Sequence, residues 1–243
     1  MLYCFHQIKK GENIMKKNDS KQIVGGACGD NLTWALDDKG TLTISGSGAM
    51  TDWRAGIGVP WGSYVSSIKN VVINNGATSI GICAFCYCEN LTSVSIPDGV
   101  TRIETGAFDS CKSLTGISIP NSVTHFEGFV FKSCESLTSI SIPNEVTRIG
   151  CGTFAGCKNL TSISIPNSIT RIEGFVFSGC KSLACVNIPS SVTRIERCAF
   201  GNCESLTDIY YGGTEAEWKK IKMGDENEAI INATIHYNTL ENK

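Results

Sequence analysis

The chain lacks any apolar run approaching the roughly 18–20 residues that span a bilayer, so membrane insertion is not expected. It also lacks an excess of positive charge. Its 21 Lys and Arg against 23 Asp and Glu give a formal net charge of −2, which provides no field to hold nucleic acid or anionic lipid. The opening stretch MLYCFHQIKKGENIMKKNDSK is too polar to contain the apolar core of a secretory signal, and nothing hydrophobic follows Met15-Lys16-Lys17. Histidine is scarce, with only His6, His125 and His236, and no Ser/His/Asp or Cys/His constellation interrupts the chain. Catalysis needs one asymmetric arrangement of groups, so no enzyme activity, catalytic residue or cofactor is expected.

What the chain does have is repetition. Prolines stand at 97, 120, 143, 166 and 189, a step of 23 residues. The same step is kept by Cys88, Cys111, Cys134, Cys157, Cys180 and Cys203, by Phe85 to Phe200, and by Leu91 to Leu206. The array begins in a weaker rung at Ile68 and fades at Leu206–Tyr211, where Gly212 replaces the proline. Within one unit, Leu91, Val94 and Ile96 alternate with Ser93 and Ser95, which predicts a short strand. Proline ends it because it has no N–H for a continuing ladder. Val100–Ile103 predicts a second extended piece, and Gly106–Ser113 a short helical turn that reverses the chain. One unit has about seven apolar side chains, each worth roughly 1.5–3 kcal/mol when buried. That does not offset about 1–2 kcal/mol per residue of backbone ordering. Stacked units fuse their apolar columns into one core, so the period predicts a solenoid. Seven rungs at about 4.8 Å make a body roughly 30 Å long.

The L-x-x-I-x-I-P…I-x-x-x-x-F-x-x-C-x-x-L pattern resembles the BspA-like (Treponema-type) leucine-rich repeats. The resemblance covers about Ile68 to Tyr211 and extends to the flanks: Cys28–Trp53 is similar to the hairpin that precedes these repeats, and IYYGGTEAEWKKI with NATIHY to their closing segment. It implies a β-rich, horseshoe-like, right-handed leucine-rich-repeat solenoid with a parallel β ladder on one face and short helical turns. The expected organisation is a flexible N-terminus over 1–23, an N-terminal β cap over 24–67, the solenoid over 68–211 and a C-terminal cap over 212–243.

Such arrays expose their core at both ends unless a cap covers it. LTWAL and TLTIS, joined by Asp37-Asp38-Lys39-Gly40, predict a hairpin that closes the first rung with Trp53, Pro60 and Trp61. Thr214-x-x-Glu217 is a capping box and predicts a helix to about Lys222. Asp225-x-x-Glu228 predicts a second short helix before a strand at Ala233–Tyr237.

The thirteen cysteines need weighing. The column members are expected to be buried thiols, with disulfides and metal as the competing readings; in-register neighbours have parallel side-chain vectors, which disfavours bridging. Cys83, Cys86 and Cys88 form C-x-x-C-x-C, which tempts a zinc assignment, but no fourth ligand is evident. His125 occupies the column of Arg102, Arg148, Arg171 and Arg194 and is expected to be an exposed variant. The Arg file, with Glu104, Glu127, Glu173 and Glu196 two residues on, reads as a solvated charge-striped wall, and a polar strip for a partner is the competing reading.

The strand face is the usual binding surface of leucine-rich repeats. Its candidate binding residues are Ser93, Ser95, Ser118, Ser139, Ser141, Ser162, Ser164, Asn187, Asp208 and Tyr210. They form a hydroxyl-rich sheet, poor in the Trp, Tyr and Arg anchors of tight interfaces except at its Asp208–Tyr211 edge. The resemblance implies a non-enzymatic adhesion or protein-interaction module of a bacterial surface or secreted protein. Its partners would be host or cell-surface proteins, of the extracellular-matrix type such as fibronectin and fibrinogen, or glycans. The missing export signal and the unpaired thiols point instead to an intracellular interaction scaffold.

Overall fold

A computed structural model describes residues 22–54 and 58–239. The N-terminal tail expected over 1–23 lies outside the described residues, apart from Gln22 and Ile23, which belong to the first strand. Three strands open the chain: β1 (Gln22–Ala27), β2 (Asn31–Asp37) and β3 (Thr41–Ala49). They run antiparallel in that order, so the predicted hairpin carries an extra strand on its outer side. Its turn is fixed by Asp37, whose carboxylate accepts from the N–H groups of Lys39 at 3.0 Å and Thr41 at 2.7 Å.

β3 is itself the first rung. Its first half pairs in parallel with Asn70–Ile73 and its second half with Ala77–Ile80. Two parallel ladders start there, one on each side of a core filled by the alternate residues. The serine ladder continues through Ser93–Ser95, resumes at Ser162–Ser164 and proceeds through Cys185–Ile188 and Asp208–Tyr211 to Thr234–His236. Between these stretches, residues 116–118 and 139–141 have no strand pairing. Gly116 has no side chain to pack across the ladder, which weakens pairing there. The arginine ladder runs through Arg102–Ile103, His125–Phe126 and Arg148–Ile149, and resumes at Arg171–Ile172 and Arg194–Ile195.

The turning segment holds the array together where the strand ladders open. The single turns at 106–113 are closed by bonds such as Asp109 N–H to Gly106 carbonyl, 3.0 Å, and Cys111 N–H to Phe108 carbonyl, 3.2 Å. Intervening N–H groups donate forward to the next rung: Gly106 to Gly128, Phe108 to Val130, Ser110 to Lys132, at 2.7–3.0 Å. The same forward pattern runs from Cys83 to Phe200. Such alternation needs left-handed backbone, found in each rung at two columns that include Gly106 and Gly152, and Ser110 and Gly156.

Inside, Phe85, Phe108, Phe131, Phe154, Phe177 and Phe200 stack with ring centroids 5.1–5.7 Å apart. Trp61 begins the stack, 5.6 Å from Phe85, and itself packs against Trp34 and Trp53. Beside it runs the cysteine file. Cys111, Cys134, Cys157, Cys180 and Cys203 are buried, and each thiol donates to the carbonyl of a Phe one rung back, at 3.1–3.2 Å.

At the far end, α1 (Glu215–Trp218) starts with the predicted capping box: Thr214 Oγ1 accepts from Glu217 N–H, and Glu217 accepts from Thr214 N–H. The helix expected to reach Lys222 stops at Trp218. Lys222–Met223 instead pairs as a strand with Arg194–Ile195, because the arginine ladder has an open edge to cover. α2 (Glu228–Asn232) starts after Asn227 rather than at Asp225, and Asn227 makes no cap bond to it. Its amide is turned into the array: Oδ1 accepts from Phe200 N–H at 2.9 Å, and Nδ2 donates to the Glu196 and Gly224 carbonyls. Residues 212–236 therefore continue the coil as a longer, irregular final turn.

Candidate binding face

Seven of the proposed face residues, Ser93, Ser95, Ser118, Ser139, Ser141, Ser162 and Ser164, are exposed, while Asn187, Asp208 and Tyr210 are half-buried. Parallel register aligns them in two files. One reads Ser162, Cys185, Asp208, Thr234, and the other Ser164, Asn187, Tyr210, His236. The alternate residues, such as Ile163, Val186 and Ile209, are buried, which is why the polar set is presented together.

Neighbouring side chains on this face bond across rungs. Ser93 Oγ donates to Asn70 Oδ1 at 2.7 Å, and Asn187 Nδ2 to Ser164 Oγ at 2.8 Å. Where the ladder opens, a groove of about 460 Å³ forms, lined by Gly116, Ser139, Ser141, Ser162 and Ser164 with Ile140 between them. Its hydroxyls and its interrupted backbone offer donors and acceptors over a shallow apolar floor.

The C-terminal edge is more elaborate than its sequence promised. His236 comes from the final turn to lie 2.7 Å by Nε2 from Asp208 Oδ1. Its ring stacks on Tyr210 with centroids 4.8 Å apart and planes 15° from parallel. Thr207 Oγ1 donates to the other Asp208 oxygen at 2.7 Å. Bonds from His236 and Thr207 hold the Asp208 carboxyl below its usual range. The signal for His236 was present: T-I-H-Y at 234–237 echoes D-I-Y-Y at 208–211, with apolar, aromatic and β-branched residues in matching places.

Three exposed aromatics lie elsewhere, on the turning wall. Tyr87, Phe129 and Phe175 have φ near +60°, a conformation rare for bulky residues. Phe129 lies over Gly152, where a Cβ would meet its ring at 2.4 Å. The aromatic character missing from the strand face is therefore on a different wall.

The other candidates fall into place as solvated structure. Arg102, Arg148, Arg171 and Arg194 are about half exposed and pair with glutamates of their own or a neighbouring rung, as in Arg171 Nη2 to Glu196 at 2.8 Å. His125 sits half-buried in the same file, its Nδ1 2.9 Å from Thr124 Oγ1. None of the twelve described cysteines is joined in a disulfide. Burial pushes Cys88 and Cys203 up to about 12 and Cys28 to about 11. Among the described residues, no group of three His, Cys, Asp or Glu side chains is arranged to hold a metal ion. Among them, too, no helix is long and apolar enough to cross a membrane.

The profile of the BspA-type leucine-rich repeat region matches in six copies, over residues 63–157 and 127–223. No curated protein sequence matches significantly. Among solved structures, a leucine-rich repeat protein of T. pallidum is 27% identical, with a TM-score of 0.56, over 72% of this chain and 88% of that one. A leucine-rich repeat protein of Bacteroides ovatus shares the fold, with a TM-score of 0.58 at 19% identity, over 87% of this chain and 70% of that one.

Proposed function

The chain belongs to the BspA-type leucine-rich repeat family, and from that premise we propose that it is a non-enzymatic interaction module. Its serine-lined strand face engages a host or cell-surface protein, or a glycan, outside a bacterial cell. The observation that carries this reading is the polar file that runs in register from Ser164 through Asn187 to the Asp208–His236–Tyr210 cluster. Hydroxyls, an amide, a carboxylate and a stacked aromatic pair follow one another at the spacing of a parallel ladder. Such a surface suits an extended ligand held by many weak contacts rather than one deep anchor.

A direct test immobilises fibronectin, fibrinogen and a glycan panel and compares the wild type with Tyr210→Ala and Ser141→Lys. The reading expects at least one bound ligand and a loss of binding of roughly tenfold or more in the variants. Equal binding by all three proteins, or none by the wild type, would refute it. Labelling of intact source cells with a membrane-impermeant amine reagent tests location. One observation favours the intracellular scaffold as a second reading: none of the twelve described cysteines is in a disulfide, the state usual in reducing compartments. Labelling only after lysis would favour it.

A further inference from the structure

The cysteine file explains why its own thiols are present, but it leaves Cys83 and Cys86 unexplained. These two close a single turn, with the Cys86 N–H donating to the Cys83 carbonyl at 3.2 Å. A turn of this kind keeps its end Cα atoms within about 7 Å, in the range a disulfide tolerates. Burial raises the Cys83 thiol, and the neighbouring Cys86 side chain partly offsets that rise. They lie nearer the surface than the file, with 9% and 5% exposure against 0% for Cys88 and Cys111. Cys83 occupies the left-handed position that Gly106, Phe129 and Gly152 fill in the next three rungs. Its sulfur lies over Gly106, 3.2 Å from where a Cβ there would stand, with Asp109 nearby.

We infer that Cys83 and Cys86 are a redox-active dithiol that a low-molecular-weight disulfide closes to an intramolecular bond. One thiolate attacks the small disulfide, forming a mixed disulfide and releasing one small thiol. The second sulfur then attacks the protein-side sulfur of that intermediate, and the second small thiol leaves. Two electrons pass from the protein to the small disulfide, and the two protein thiol protons end on the released thiols. The remaining described cysteines are differently placed. Cys111, Cys134, Cys157, Cys180 and Cys203 donate to buried carbonyls, Cys88 and Cys28 are buried as well, and burial leaves all of them almost no thiolate at neutral pH. Cys198 donates to Glu226 at 2.7 Å. Cys151 and Cys185 are half-buried and, having no resolving thiol in their own turn, stop at the mixed disulfide.

The test incubates the folded, reduced protein with oxidised glutathione, blocks remaining thiols and maps the products after chymotryptic cleavage. Cleavage after Phe85 and Tyr87 separates Cys83, Cys86 and Cys88. The expected product is a Cys83–Cys86 linked pair of peptides with no glutathione on either, while Cys151 carries the adduct. In Cys86→Ser, with unchanged circular dichroism, Cys83 should retain glutathione because nothing resolves it. Free Cys83 and Cys86 beside a modified Cys151 would overturn the inference. So would a persistent adduct on either one in the wild type, or a bond made to Cys88 instead.

Discussion

The indole Nε1 of Trp61 donates to the carbonyl of Ala84 at 2.9 Å. In the rungs that follow, the equivalent carbonyl accepts from the backbone N–H of a Phe, as Ala107 does from Phe85. At the other end of the same ladder, Asn227 Oδ1 takes the place of the missing carbonyl and accepts from Phe200 N–H. Both capping side chains are fully buried. The turn ladder is thus closed at each end by a side chain that imitates the backbone of an absent rung. A buried, unpaired amide group costs about 1–3 kcal/mol.

Asn227→Ala should therefore lower stability by roughly 2–4 kcal/mol, since it strands the Phe200 N–H and several carbonyls at once. Urea unfolding measures this. A loss below about 1 kcal/mol would show that the final turn is held by its strands alone.

Trp61→Ala should cost about 3–5 kcal/mol by leaving a cavity over Phe85. Trp61→Phe should cost clearly less, because it keeps the stack and loses only the N–H. Equal losses in the two variants would place the whole contribution in the hydrogen bond.

Stability should fall steeply at alkaline pH. The file thiols have folded pKa values raised by burial above the ordinary 9.0, to about 12 for Cys88 and Cys203. Above 9 the unfolded chain therefore binds fewer protons than the folded one, and rising pH favours unfolding. The contribution is complete below 9 and is lost between 9 and 12, at up to about 1.4 kcal/mol per thiol per pH unit. Unfolding midpoints at pH 8 and 10 in reductant check this. A flat profile would mean that the thiols titrate in the folded state.

Two glycines should respond oppositely. Gly152 has φ +62°, and a Cβ there would meet the Phe129 ring at 2.4 Å, so Gly152→Ala should destabilise by more than about 1 kcal/mol. Gly116 faces open space, so Gly116→Ser should be neutral or stabilising, by up to about 1 kcal/mol. Thermal unfolding of both variants decides.

The arginine file should matter little to stability. Arg171 is half exposed and shared between Glu173 and Glu196, so Arg171→Ala should change unfolding by about 0–1 kcal/mol, less in high salt. A larger loss that salt does not reduce would point to packing by its stem.

The 23-residue period alone determined the solenoid, the buried Phe and Cys files and the outward serines. Each follows from local alternation multiplied by stacking, and stacking in register sends every member of a column to the same place. The capping box at Thr214 and Glu217 was legible for the same local reason. What the sequence could not decide lies where the period fails. That Asn227 would abandon its helix, that Lys222–Met223 would become a strand and that His236 would reach Asp208 all depend on unsatisfied groups at the open end of the array. Those groups exist only once the rungs have stacked. The opening of the serine ladder at 116–118 and 139–141, and the shift of exposed aromatics to the turning wall, likewise depend on how neighbouring rungs share space, which no single repeat encodes.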